Sequence, residues 1–253
     1  MAQPKRGRMR RPCRGPCGRM NAFQKPGGAI FDCDGVLLDS NRIKSEGFRS
    51  ALAEEPAEQV ERFFAYLHAN AGLMRDALFE HYFRSIAPRT DWASPVADAI
   101  RVFGKHTMES LLACAQIPGA AELVQTLSDA GVPCVVVSAA RPDDLELILS
   151  EKGMQYLFAA VRGGDRTKIA HIASLIDEGT VRAPLVYFGD SRVDMEAAEA
   201  FGARFVFVSA GTDWMDGEAV CGARGHTVVT DLRDFDAGRV LTNLSSERAS
   251  PST

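Results

Sequence analysis

Two aspartates stand two residues apart in Phe31-Asp32-Cys33-Asp34-Gly35, directly after a short apolar run. Where a chain bends at a strand end, both carboxylates of such a pair can face one pocket. One can then act as nucleophile while the other moves a proton to a leaving group. Gly35 supplies the backbone freedom for the bend. A solvated acidic turn has the same composition, so the meaning of the pair depends on the rest of the chain.

Three further signals follow. The β-branched run Val135-Val136-Val137 ends in Ser138 and Ala139. A hydroxyl and the next backbone N–H groups at that place can hold a phosphate oxygen, or Ser138 can cap a helix starting near Pro142. Lys168 opens a helical pattern, an unfavourable place for a cation beside the helix dipole unless its ammonium reaches a pocket crowded with carboxylates. Arg166 competes for that role. Finally, Tyr187-Phe188-Gly189 delivers Asp190, and Asp194 follows where a helix begins, so either acid alone reads equally as a cap. Mg²⁺ prefers oxygen ligands from one or two carboxylates, water and phosphate. Asp32, Asp190 and a main-chain carbonyl near Asp34 suit it.

The residues between these signals must bring them together. Short apolar runs at 29–31, 134–137, 158–161, 185–188, 205–208 and 227–229 alternate with helical patterns such as 120–130, 169–176 and 195–201. Near-continuous apolar strands with intervening helices predict a parallel sheet covered on both faces. Ligands of such sheets bind at the carboxyl ends of the strands, where strand order reverses. Residues 44–115 break the rhythm with helical patterns at 45–53, 57–70, 74–86 and 96–113 and no convincing strand. Phe63, Phe64, Leu67, Leu78, Phe79, Tyr82 and Phe83 recur there at helical spacing, which reads as core. The expected hinges are 39–42 and 116–119.

The order of these motifs resembles the haloacid dehalogenase-like superfamily of hydrolases over residues 29 to about 232, and the 31–40 segment is similar to its phosphatase branch. The resemblance implies a Rossmann-like three-layer α/β/α core with an inserted all-helical cap of the first type. The core is expected at 29–43 and 116–243, the cap at 44–115. It implies Asp32 as nucleophile, Asp34 as general acid/base, and Ser138 with the Ala139 N–H as phosphate binders. Lys168 then steadies nucleophile and phosphate, while Mg²⁺ is held by Asp32, Asp34 and Asp190, with Asp194 ligating or orienting. The implied activity is hydrolysis of a small phosphorylated metabolite, such as a sugar phosphate, through an aspartyl-phosphate. Arg42, Lys44, Arg49 and Arg75 could meet a second anionic group of the substrate. Two departures stand out: Ala139 occupies a position where many relatives carry Asn or Ser, and Thr167-Lys168-Ile169-Ala170-His171 replaces the frequent Lys-Pro-x-Pro-Asp. The pattern thus differs from that of the best-known phosphoglycolate and sugar phosphatases. Asp34 argues against carbon–halogen and carbon–phosphorus cleavage, whose enzymes usually lack the second acid. A phosphomutase and a catalytically idle binding module remain as alternatives.

Composition narrows the setting. Hydrophobic residues make up 46% of the 253 and charged residues 25%, ordinary globular values. Residues 1–28 carry eight Lys or Arg and no acid, so the formal charge of −4 less those eight leaves −12 for the remainder. An acidic body is not the profile of a nucleic-acid-binding domain, and no apolar run is long enough for a membrane span. The Arg-, Pro- and Gly-rich 1–28 segment reads as disordered, or as preceding a true start at Met20. Residues 244–253 read as a polar tail. Six dispersed cysteines (Cys13, Cys17, Cys33, Cys114, Cys134, Cys221) form no disulfide framework, which fits a reducing cytoplasm. The Cys13–Cys17 pair lacks a second pair for a zinc site. A monomer or homodimer is expected.

Overall fold

The computed structural model describes residues 25–70, 73–164 and 166–241. The basic residues 1–24, with Cys13 and Cys17, and the 244–253 tail lie outside the described residues.

Six parallel strands form one sheet: β1 (Gly28–Phe31), β2 (Cys134–Val137), β3 (Ala160–Arg162), β4 (Leu185–Gly189), β5 (Arg204–Val208) and β6 (Thr227–Val229), in the order β3-β2-β1-β4-β5-β6. Every residue of β1, β2 and β4 is buried, so each strand needs apolar side chains on both faces. Alternation divides them. Ala29, Phe31 and Val136 join one cluster with Leu123, Leu127 and Leu149. Ile30, Val135 and Tyr187 join another with Ile172, Leu175 and Met195. The first face is covered by α5 (Ala120–Asp129) and α6 (Pro142–Glu151), the second by α7 (Lys168–Asp177), α8 (Arg192–Ala200) and α9 (Gly217–Ala223). The result is a Rossmann-like α/β/α sandwich. The third strand starts two residues later than the apolar run at 158–161 suggests, because Phe158 still closes the 3₁₀ turn Gln155–Leu157.

Between β1 and β2 the chain forms α1 (Asn41–Ala51), α2 (Ala57–Ala69), α3 (Arg75–His81), a π turn at Tyr82–Ile86 and α4 (Ala93–Ala113). Phe48, Phe63, Phe79, Tyr82 and Phe103 are all buried in a third cluster belonging to these helices alone. Their rings meet at centroid separations of 4.8 to 6.3 Å in tilted, edge-on and stacked pairs, the arrangements that ring quadrupoles favour. Gly47 lets α1 lie close on α4: a Cβ there would stand 2.3 Å from Thr107 Cγ2. Two boundaries differ from the sequence pattern. The first helix begins at Asn41, inside the expected hinge, with Ser40 at its N-cap making no side-chain capping bond. The pattern at 74–86 divides into α3 and the wider π turn.

Strand order reverses around β1, which is paired with β2 on one side and β4 on the other. Phe31 is level with both Val136 and Phe188. Asp32, Ser138 and Asp190 therefore leave the sheet at the same edge, at its switch point.

Candidate active site

Asp32 continues β1, its N–H donating to the Phe188 carbonyl at 2.9 Å. Its side chain is 7% exposed. Oδ1 accepts from the Cys33 N–H at 2.7 Å, and Oδ2 meets Lys168 Nζ at 2.8 Å. Lys168 is the first residue of α7, whose N-cap Thr167 accepts from the Ala170 N–H. Its ammonium is fully enclosed and also donates to Asp194 Oδ1 at 2.6 Å. Asp194 sits in the first turn of α8, where Ser191 and Asp194 form a reciprocal capping box. The Tyr187 hydroxyl donates to the same Oδ1 at 2.6 Å, and the N–H and hydroxyl of Ser191 donate to Oδ2. The Asp194 carboxylate is thus occupied by protein donors on both oxygens.

Asp190 follows β4. Its Oδ2 accepts from Asn41 Nδ2 at 2.8 Å, and Thr212 Oγ1 donates to its main-chain carbonyl at 2.6 Å. One carboxylate oxygen from each of Asp32, Asp190 and Asp194 lies within 4.8 Å of the other two. A buried, all-oxygen group of this kind fits a hard divalent cation. The electrostatics point the same way. Burial raises the Asp32 pKa to about 7, helped by Asp194 and Asp34, although Lys168 pulls it down. Burial, then Asp32 and Asp194, push the Asp190 carboxyl well above the usual range. Burial works against the Lys168 charge, but Asp194 and Asp32 outweigh it and hold the ammonium protonated. One lysine does not balance three enclosed acids.

Asp34 points to different partners. Ser40 Oγ donates to its Oδ1 at 2.6 Å, and Lys44, on α1, forms an ion pair with Oδ2. Burial opposes its charge, yet Lys44 and Ser40 prevail and lower its pKa. Ser138 is buried at the end of β2, where its Oγ accepts from the Ala140 N–H at 3.1 Å. It does not cap α6, whose N-cap is Arg141. Ala139 lines the same cavity as Asp32 and Asp190. Arg166 is exposed, and Lys168 rather than Arg166 reaches the acids.

Three participants escaped the sequence reading. Tyr187 reads as one more apolar strand residue, yet its hydroxyl is the partner of Asp194. Asn41 looks like hinge polarity, yet it ties Asp190 to the Gly211 carbonyl. Lys44, considered for a substrate anion, is engaged by Asp34. Of the other cations considered with it, Arg42 is 83% exposed beside Glu46, and Arg49 lies over the Phe64 ring. No residue-type signal marks these pairings: Asn41 and Asp190 are remote in sequence, Lys44 competes with an ordinary surface role, and Tyr187 is hidden in an apolar strand pattern.

Gly35 turns the loop at φ 71°, and an added Cβ would stand 2.2 Å from Asp190 Oδ2 and 2.7 Å from Asn41 Nδ2. Gly35→Ala is therefore expected to destabilise the fold by about 1–3 kcal/mol through strain and displaced polar groups. It should also displace Asp190. A thermal melt alongside a divalent-cation titration checks this; wild-type values in both would show that the loop relaxes without moving the acid.

The chain matches the family model described as haloacid dehalogenase-like hydrolase over residues 29–208. It belongs to that family. The phosphoglycolate phosphatase of Escherichia coli (strain K12) is 26% identical over 240 residues, covering 85% of this chain and 93% of that protein. Among solved structures, CbbY from Rhodobacter sphaeroides in complex with phosphate superposes with a TM-score of 0.65 at 18% identity, covering 86% of this chain and 99% of that one. A hydrolase from Pseudomonas syringae gives 0.65 at 20% identity, covering 90% and 100%. At these identities the two structures speak for the fold.

Proposed function

We propose that this chain is a Mg²⁺-dependent phosphatase acting on the phosphate monoester of a small molecule, with Asp32 as nucleophile. The observation that carries the reading is the enclosed constellation itself: Lys168 Nζ 2.8 Å from Asp32, with Asp190 in the same cluster at the switch point of the sheet. The phosphoglycolate phosphatase named above supports the same class of ester.

Asp32 and Asp190, with the main-chain carbonyl of Asp34, would hold the cation. Asp194 is assigned the orienting role, since its oxygens already accept from Lys168, Tyr187 and Ser191. When bound, the cation supplies positive charge between the nucleophile and the phosphate dianion. The remaining work falls to the chain. The Cys33 N–H and Lys168 fix the Asp32 carboxylate for in-line attack on phosphorus, forming the Asp32–phosphate bond as the ester P–O bond breaks. Asp34, released from Lys44 and protonated from solvent, gives that proton to the departing alkoxide. As a carboxylate it then takes a proton from water, which attacks the aspartyl-phosphate, frees Asp32 and releases inorganic phosphate. Lys168 offsets the charge gathering on the phosphoryl oxygens, and Ser138 and the Ala139 N–H are the assigned phosphate binders. Asp34 works as an acid only after its pair with Lys44 opens. Lys44 rides on α1, so movement of the helical insert is the step that would release it. On this reading residues 44–115 are a cap that also excludes water.

Phosphate release from a panel of esters tests the proposal. Release is expected with Mg²⁺, falling to background with excess chelator and returning on Mg²⁺ addition. Chelator-insensitive turnover would remove the metal from the mechanism. Accumulation of an isomerised sugar phosphate without free phosphate would mark a mutase instead.

A further inference from the structure

A cavity of about 120 Å³ opens on Asp32, Asp34 and Asp190. Leu67, Leu73, Leu78 and Phe103 of the helical insert wall one side, and Leu145 and Ile148 of α6 wall the other. Its charged groups are mostly committed. Lys44 pairs with Asp34, and Arg75 lies 3.5 Å from Asp144 and over the Phe103 ring. The Arg75 Nε–H is buried, with the Asp76 carboxylate 3.7 Å away and no hydrogen-bond partner among the described residues. That donor suits a single acceptor oxygen, not a run of hydroxyls. Ser45, Asn70, Arg141 and Asp213 also line the cavity, but the hydroxyls of a polyol set against the leucines and Phe103 lose water without compensation. An apolar group gains from the same walls. The phosphoryl group takes the acidic end of this volume, beside Asp32 and Asp190, so the part walled by leucines and Phe103 is left for a small apolar group.

From this we infer that the leaving alcohol of the substrate is a small apolar aliphatic or aromatic group rather than a sugar. The inference rests on the phosphatase reading of the same site. It is tested with n-alkyl phosphates from methyl to hexyl, benzyl phosphate and glucose 6-phosphate. The expected kcat/KM rises about threefold to fourfold per CH₂ until the cavity is filled. Benzyl phosphate should exceed glucose 6-phosphate by about tenfold or more. Leu78→Asn and the half-buried Leu73→Gln should flatten the series. The hexyl-to-methyl ratio is read within each variant, so any loss of folded enzyme cancels. A flat wild-type series, or a preference for the sugar ester, overturns the inference while leaving the phosphatase reading intact.

Binding separates the two ideas further. Calorimetry on Asp32→Asn should show tighter binding of benzylphosphonate than methylphosphonate, with a more negative heat-capacity change. Should no ester turn over while this difference persists, the phosphatase reading falls and the apolar pocket stands. Equal binding of the two phosphonates sinks the pocket.

Discussion

Asp32→Asn is expected to abolish phosphate release, lowering kcat by about 10⁴-fold or more, because a carboxamide cannot form the phosphoryl-enzyme bond. The loss should come without collapse of the fold. The substitution removes one of three buried acids, each of which places one carboxylate oxygen within 4.8 Å of the other two, and so removes repulsion. Lys168 keeps its 2.6 Å partner Asp194. The thermal midpoint in chelator should therefore stay close to wild type. Mass spectrometry of enzyme quenched during turnover should find a phosphorylated species in wild type and none in the variant. Activity within tenfold of wild type would eliminate Asp32 as the nucleophile, whatever the other acids do.

Lys168→Met should damage both stability and rate. The lysine side chain is 3% exposed and its ammonium is the shared partner of Asp32 and Asp194. Deleting it leaves two enclosed carboxylates without their counter-charge, a change that costs about 3–5 kcal/mol when a buried pair is broken from one side. Loss of its charge from the phosphoryl oxygens should lower kcat by about 10²–10³-fold. Chemical denaturation of the chelator-treated protein measures the first effect and phosphate release the second. Adding Asp194→Asn to Lys168→Met should recover part of the stability and none of the rate, because it removes a stranded acid and restores no ammonium. A single variant as stable as wild type would mean that these acids are not held as ions in the folded state.

Much of this site is legible in the sequence, for a specific reason. Apolar runs that end abruptly in Asp32, Ser138 and Asp190 carry their own positional information, since a buried strand can end in a polar residue only where it leaves the sheet. Lys168 is flagged by its conflict with the helix dipole, but only the resemblance separates it from Arg166. The aromatic spacing at 63–83 likewise reports a helical core, and all seven of those residues are buried. Boundaries were less legible. Ser40 carries an N-cap residue type, but its hydroxyl serves Asp34, and the π turn at Tyr82–Ile86 keeps the apolar spacing of a helix.

Sequence alone determined the chemical kind of each group and the element it terminates, because residue type and periodicity are local properties. Tertiary structure decided which groups share an environment. Strand order, with β1 between β2 and β4, brings residues more than a hundred positions apart to one edge. It also sorted the carboxylates: Asp34 to Lys44 of the insert, Asp194 to four protein donors, Asp32 and Asp190 to each other across the space a cation suits. Such sorting depends on distances of a few ångströms between remote segments, a quantity that no local pattern encodes.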